Sequence, residues 1–599
     1  MKKYLLFSVF FCLCSAFFAQ VSVDPSDNFY RQVERWETLG IIEKQPSLRP
    51  YPLPVVEKIL KSVIETESQN ESSLAKQIYE EVFNRSWKLL FEGSVYGAKK
   101  ESFSKRAMAK YGVEGDISFL NVFSAGWQLD FLSDLFPETS VLPEYQYFPY
   151  FFADGRGSKL KNYMECDGNL AIKINGFYFQ TGLNHNSFGN FYEDSLTLNP
   201  SAKHSANFVL SYMGKNWNYT QGVFCLTATR SSENILEDHG KYPFKYLMMH
   251  SVDWNISKKI SLSFYESIIY GQKFNISFAV PMLYMVTQGV TGYSANNLFM
   301  GGSFVYSPVP SLSFNGDLYL DDIGFTGLKE YKDIKLHCAG ALGVKYVPEN
   351  NSVIQLVKAG YTLVTPFMYS HCHNDDNGNA VGMGDVNYQI YTTGGTPLGS
   401  NLPPNSDRIA LKVELAPVSG LSVKVGGAFI RHGNVTESLT KEEQISLLAS
   451  PAGFYATDGS INQHSAYGEN GDTKKDRYMD SADNRTMILT QPTKEYTFQT
   501  DIEIGWKLPP SKAGKFEITA GYTFEYIKNY GVGNEMLAGK GWKYNSQDQK
   551  YYENYDSSTE TYTNEVDVES ELAKALADWK SQLKNVMNHY LTVKFKYRY

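Results

Sequence analysis

The chain has 599 residues, a formal net charge of −8 and a mean hydropathy of −0.33, with 43 tyrosines and 37 phenylalanines. So modest an acidic balance gives no reason to expect nucleic acid as a partner. After residue 20 no apolar run reaches the roughly 18–20 residues of a spanning helix, and the four remaining cysteines make no disulfide framework.

Lys2 and Lys3, an apolar stretch over residues 4–18 and the small Ala19 read as a secretory signal peptide, residues 1–20. Cys12 and Cys14 lie inside it, and neither follows the small residue that a lipoprotein site requires. Residues 21–88 read as a small helical module. Asp27 can cap a first helix with Phe29, Val33 and Trp36 on one face and Gly40 as its stop. Pro50, Pro52 and Pro54 lead into a second helix, with Val56, Ile59, Leu60 and Val63 at helical spacing. A third starts at Ser72 or Ser73 and carries Leu74, Ile78 and Val82. Such a module is too small to hold much core of its own and is expected to pack on something larger.

From residue 89 to the end the period of the pattern changes to two. Ile409, Leu411, Val413 and Leu415 alternate with Arg408, Ala410, Lys412 and Glu414, and Leu421, Val423, Val425 and Phe429 repeat the pattern. Tyr496, Phe498, Ile502, Ile504 and Trp506 alternate with Glu495, Thr497, Gln499, Asp501 and Glu503; Phe516 to Tyr526 behaves alike, with Glu517 and Glu525 on its polar face. Successive side chains of a strand point to opposite faces. Long strands with one aromatic-rich apolar face and one charged face suit a barrel with a lipid-facing exterior and a wet interior. Glu266 breaks the apolar face of Ile260, Leu262, Phe264 and Ile268, and is expected at an exposed strand end or a bulge.

The connections are unequal. Short turns are expected at Asn121, at residues 174–176, 214–215, 257–259, 307–310, 348–351, 416–420 and 509–514. Long polar loops are expected at 134–166, 185–204, 229–243, 271–297, 365–406, 433–493 and 529–587. That asymmetry matches periplasmic turns and extracellular loops, and the count comes to about 18 strands. Leu572, Leu576, Trp579, Leu583 and Val586 put a helical stripe in the last loop, expected against the barrel rim or in the lumen. The final strand, residues 590–599, carries Leu591, Val593, Phe595, Tyr597 and Tyr599 on one face. Lys594, Lys596 and Arg598 lie on the other, towards a lumen to which Glu517 and Glu525 also point. It resembles the C-terminal signal strand that barrel-assembly machinery reads, and is expected to close the barrel against residues 91–98.

Chemistry-bearing clusters are few. His371, Cys372, His373, Asp375 and Asp376 offer metal-ligand types, but in a Gly- and Asn-rich loop with no second cluster to close a site. Asp194 and Ser195 with His185 and His204 suggest a hydrolytic triad only weakly, since no nucleophile elbow surrounds Ser195. Tyr145, Tyr147, Phe148, Tyr150, Phe151 and Phe152 form an aromatic loop that suits either sugar stacking or self-packing. No catalytic residue, metal or cofactor is expected.

One segment goes beyond pattern. Residues 184–202 contain Phe188-Gly189, then Ser195-Leu196-Thr197-Leu198, then Asn199 to Ala202. This resembles a segment of Wzi-type capsule assembly proteins, in which a Trp-Gly-Pro-Gly element precedes a Ser-Leu-Ile-Leu-Ser run and an Asn-Ala-x-Pro end. The Trp and the second Gly are missing here. The stretch Glu34 to Ile42, with Arg49, Pro50 and Tyr51, is similar to the helical opening of such proteins, and also to S-layer homology modules. The resemblance implies an all-β transmembrane barrel of about 18 strands with a small helical periplasmic module, in the outer-membrane lipid, binding or organising surface polysaccharide. It implies that Gly189, Asp194, Ser195 and Asn199 belong to the element shaping the lumen, as tentative ligand-binding residues. A porin or substrate-specific channel is the alternative.

Overall fold

The computed structural model describes residues 28–599, leaving out 84–86, 120–121, 138, 147–158, 192, 228–244, 272, 293–295, 325–334, 349–352, 370–387, 395, 451–487 and 510–513. The expected signal peptide, the cluster at 371–376 and most of the aromatic loop after Pro143 lie outside the described residues.

Eighteen antiparallel strands close into a barrel, each paired with its neighbours in sequence. They are β1 (Trp87–Lys99), β2 (Phe103–Phe119), β3 (Phe123–Leu135), β4 (Leu160–Ile174), β5 (Phe177–Asn184), β6 (Ser205–Met213), β7 (Trp217–Leu226), β8 (Lys245–Ser257) and β9 (Ile260–Gly271). The second half comprises β10 (Asn296–Val309), β11 (Leu312–Gly324), β12 (Lys335–Tyr346), β13 (Ile354–Val364), β14 (Ser406–Leu415), β15 (Leu421–Gly433), β16 (Lys494–Lys507), β17 (Lys515–Tyr530) and β18 (Lys584–Arg598). Alternation sorts the faces as expected. On β1, Trp87, Leu89, Phe91 and Val95 are exposed on the outer wall, whereas Lys88, Ser94, Tyr96 and Ala98 are buried inside.

The last strand closes the barrel against the first, with Tyr597 opposite Phe91 and Tyr590 opposite Ala98. Inside, Lys596 sits opposite both Glu92 and Glu517, and its ammonium lies 3.2 Å from Glu92. This strand starts at Lys584, not at residue 590, because Val586 and Met587 continue its pairing with β17. The turn expected at 307–310 also shifts: β10 runs on to Val309, and Ser311, at φ +76°, makes the corner.

Among the described residues, three helices, α1 (Asn28–Thr38), α2 (Leu53–Ile64) and α3 (Gln69–Phe83), precede the barrel. Phe29, Val33, Trp36, Val56, Leu60, Val63 and Ile78 form their common core, and Tyr178 and Met213 of the barrel join it. Helix α3 starts three residues before Ser72, whose hydroxyl instead donates to the Ile64 carbonyl at 2.7 Å. The module lies at the short-turn end, where the Ser311 amide donates to Thr38 O at 3.0 Å.

Glu266 occupies neither a strand end nor a bulge. It pairs opposite His250 in an unbroken stretch of the β8–β9 ladder and is 1% exposed. It shares the outer face with exposed Phe264 and Val252. A flap over residues 273–291 covers it, so the expected polar loop is in fact a largely apolar layer on the outer wall. Helix α4 (Tyr284–Thr291) presents its Tyr284 amide to Glu266 at 2.9 Å, and Gln221 donates to Tyr284 Oη at 3.1 Å. Met248, Ile268 and Tyr270 pack beneath Phe278 and Tyr284. The flap's far side carries Ile276, Met282, Met285 and Val290, all exposed.

The helical stripe of the last loop forms α6 (Val568–Gln582), with α5 (Lys441–Ala449) before it in sequence. Leu572 and Trp579 of α6 pack on Leu447, Leu448, Val532 and Leu537, so the stripe seals loop against loop. Val586 is excluded from it, being part of β18.

Candidate functional site

Residues 185–204 leave the long-loop end of β5, fold back into the barrel and meet the helical module. Phe188 and Ser187 pair with Leu48 and Arg49 as a two-residue antiparallel bridge. The Gly189 amide donates to Ser47 O at 3.1 Å, and Arg49 Nη1 donates to Gly189 O at 2.9 Å. Gly189 has φ +98°, and a Cβ there would lie 2.7 Å from Asp317 Oδ2. Glycine is therefore required both for the backbone conformation and for the approach to β11.

Four strands hold this junction. Asp253 of β8 accepts from the Ser47 hydroxyl at 2.6 Å and from its amide at 3.2 Å. Asp317 of β11 accepts from the Asn190 amide at 2.9 Å and from its side chain at 2.8 Å. Lys345 of β12 donates to Asn190 O at 3.3 Å and pairs with Glu34 of α1 at 2.6 Å. Lys358 also pairs with Glu34. Burial pushes the Glu34 carboxyl up, but the two ammonium groups outweigh it and hold the group at about 2.

Ser195 is fully buried. Its hydroxyl donates to Phe188 O and accepts from the amides of Thr197 and Leu198, both at 3.1 Å. Asn199 is buried too, accepting from the Ser201 amide at 3.0 Å and donating to Asp194 at 3.2 Å. Asp194 also pairs with Arg408 of β14 and retains 20% of its side-chain exposure. The segment thus brings Asp194, Ser195 and Asn199 into one folded loop, while Gly189 forms its contact with the module. Ser195 faces backbone groups, and the two histidines of the supposed triad stand elsewhere, at the loop's two roots.

Leu196 and Leu198 enter a large interior core with Phe299, Tyr319, Tyr369 and Tyr391. Tyr369 donates to Leu196 O at 2.7 Å and Tyr391 to Thr197 O at 2.9 Å. Burial pushes both phenols above their ordinary range, so they stay protonated donors. This packing fills the interior along the walls from β6 to β13. The opposite wall stays wetter: Asp501 is exposed, and Lys424 pairs with part-exposed Glu503 at 2.7 Å. Nearer the long-loop end the same wall is closed. Fully buried Glu525 accepts from the Glu144 amide at 2.9 Å, and from Tyr590 and Asn588 at 2.9 and 2.8 Å.

Beyond the rim, a three-stranded sheet over Lys543–Asn545, Lys550–Asp556 and Thr561–Glu565 carries five tyrosines. The rings of Tyr544 and Tyr551 lie 5.0 Å apart, Tyr552 and Tyr562 5.3 Å, and Tyr555 and Tyr562 4.6 Å. Pattern along the sequence does not mark this sheet, because its tyrosines, at 544, 551, 552, 555 and 562, keep no strand period.

Among solved structures, one similar structure spans nearly the whole of this chain. It is Wzi, an outer membrane protein involved in group 1 capsule assembly in Escherichia coli and a carbohydrate-binding β-barrel. The match covers 96% of this chain and 99% of that one, with a TM-score of 0.51 and 12% identity. In fold, this chain resembles Wzi. OprD of Pseudomonas aeruginosa covers 86% of the chain at a TM-score of 0.39 and 10% identity. No family model matches the sequence, and no curated protein does. The Wzi-like fold is that of a bacterial outer-membrane barrel, and the exposed apolar wall belongs in that membrane.

Proposed function

We propose that this barrel is non-enzymatic and binds or organises a surface polysaccharide at the outer membrane. The observation that carries this reading is the junction of loop 185–204 with the helical module inside the barrel. A solute channel needs a continuous wet path, whereas here a packed core and buried ion pairs occupy much of the interior. A scaffold for a long polymer needs instead an outer surface, and the exposed tyrosine sheet at 543–565 supplies ring faces of the kind sugars stack on. Gly189, Ser195 and Asn199 then act by shaping the loop, and Asp194 with Arg408 is the member closest to solvent. The last strand serves as the signal to barrel-assembly machinery.

A glycan array probed with the purified barrel tests the reading. Binding of acidic or neutral polysaccharide that falls at least about tenfold in a Tyr555→Ala, Tyr562→Ala variant is expected, the sum of two stacking contacts. Large, steady conductance in planar bilayers, with no glycan bound, would instead select the channel.

A further inference from the structure

Where loop 185–204 leaves the wall and where it returns, two imidazoles meet. His185 directly follows β5 and His204 directly precedes β6, and their ring centroids are 4.0 Å apart. Glu165 of β4 faces both: its Oε1 lies 3.4 Å from His185 Nε2 and 3.2 Å from His204 Nε2. The donor atoms of all three lie within 4.8 Å of one another. Asp167, next on the inner face of β4, brings Oδ1 to 2.6 Å from His204 Nε2.

We propose that this cluster is a structural site for a divalent transition ion of the zinc class, fastening both roots of the loop to β4. The spacing fits. Bonds of about 2.0–2.2 Å to a tetrahedral ion set neighbouring donors roughly 3.3–3.5 Å apart, the separation seen between Glu165 and each imidazole. The tautomer fits as well. His185 Nδ1 lies 2.9 Å from the Ala202 carbonyl, which only accepts, so Nδ1 carries the proton. In the neutral ring Nε2 is then an acceptor turned towards a carboxylate oxygen, and a cation between them resolves the clash. A backbone carbonyl fixing the remote nitrogen of a ligating histidine is the usual outer support of such sites. Lys110 lies 3.4 Å from Glu165 Oε2, which leaves Oε1 as the ligating oxygen. Both imidazoles and Glu165 are shielded from solvent, with side-chain exposures of 5, 7 and 17%. Two imidazoles with carboxylates suit zinc, nickel or copper and not magnesium or calcium. Asp167 Oδ1, 2.6 Å from His204 Nε2, sits closer than two ligands of one ion and would draw back on binding. The ion would hold the loop whatever the barrel binds, so the proposal stands apart from the polysaccharide reading.

The test is zinc uptake by the full-length barrel in detergent. The protein is stripped with chelator, titrated with zinc against a chromophoric competitor, and its metal content is measured after desalting. One zinc per chain is expected, with a rise in melting temperature and slower proteolysis within 185–204. His204→Gln and Glu165→Gln should each lose the zinc while keeping the heat-modifiable mobility of a folded barrel. His371→Gln with His373→Gln should leave uptake unchanged. X-ray absorption at the zinc edge should show imidazole scattering, a readout that needs only the unaltered chain. Absence of zinc uptake by the unaltered protein overturns the proposal, because a proton alone then bridges the cluster. Uptake that survives His204→Gln, or vanishes with His371→Gln and His373→Gln, overturns it as well.

Discussion

At the scale of single residues, the loop and module are joined by groups that tolerate little change. Gly189→Ala adds strain at φ +98° and a contact with Asp317. It should destabilise the junction by about 1–3 kcal/mol, read as faster proteolysis of the loop with β-sheet circular dichroism intact. Ser195→Ala removes the acceptor of two buried amides and should cost about 1–3 kcal/mol, without altering any hydrolytic background. Glu34 gives a pH signature. Its carboxyl is held near 2 in the folded chain against an ordinary value of 4.5. The pair with Lys345 and Lys358 thus adds stability that is fully present above pH 4.5 and is lost as pH falls towards about 2. Protease protection of α1–α3 should decline across that window in the native chain. Glu34→Gln should be less protected at neutral pH and decline less steeply across the window; a native profile that stays level down to pH 2 would refute the assignment.

At the scale of elements, strands were legible and loop destinations were not. Alternation in Ile409 to Leu415 or Tyr496 to Trp506 depends only on neighbours two apart, so the face of each side chain could be read directly. Residues 185–204 depend on Asp253, Asp317 and Lys345, which arrive from three distant strands, and nothing local announces that the loop turns inward. For the same reason His185 and His204, nineteen positions apart, looked like companions of Ser195, whereas the partner that brings them together is Glu165 on another strand. The flap at 273–291 did carry a local signal: Lys273 is its one formally charged residue. Its length and place between two strands nevertheless read as an aqueous loop. A nitroxide at Val290→Cys should be reached by oxygen dissolved in lipid more readily than by an aqueous relaxant; the reverse order would put the flap in water.

At the scale of the whole molecule, a barrel closed end to end by β1 and β18 is filled from both mouths. The helical module enters at one and loop 185–204 descends from the other, and they bond to each other as well as to the wall. Deleting residues 21–83 should strand Asp253, Lys345 and Lys358 in the lumen without their partners Ser47 and Glu34. Conductance of the shortened barrel should rise well above that of the intact one, and equal conductance would show that the module obstructs nothing. The flap on the outer wall bears on something else, the order of events during assembly. Glu266 and His250 face the hydrocarbon side, 3.1 Å apart, and among the described residues it is the flap that shields them. A nascent barrel entering the bilayer with that segment still undocked would drag an acid and an imidazole into oil. The segment must therefore be seated before or during insertion, which makes a stretch of surface chain an early participant in the biogenesis of this barrel.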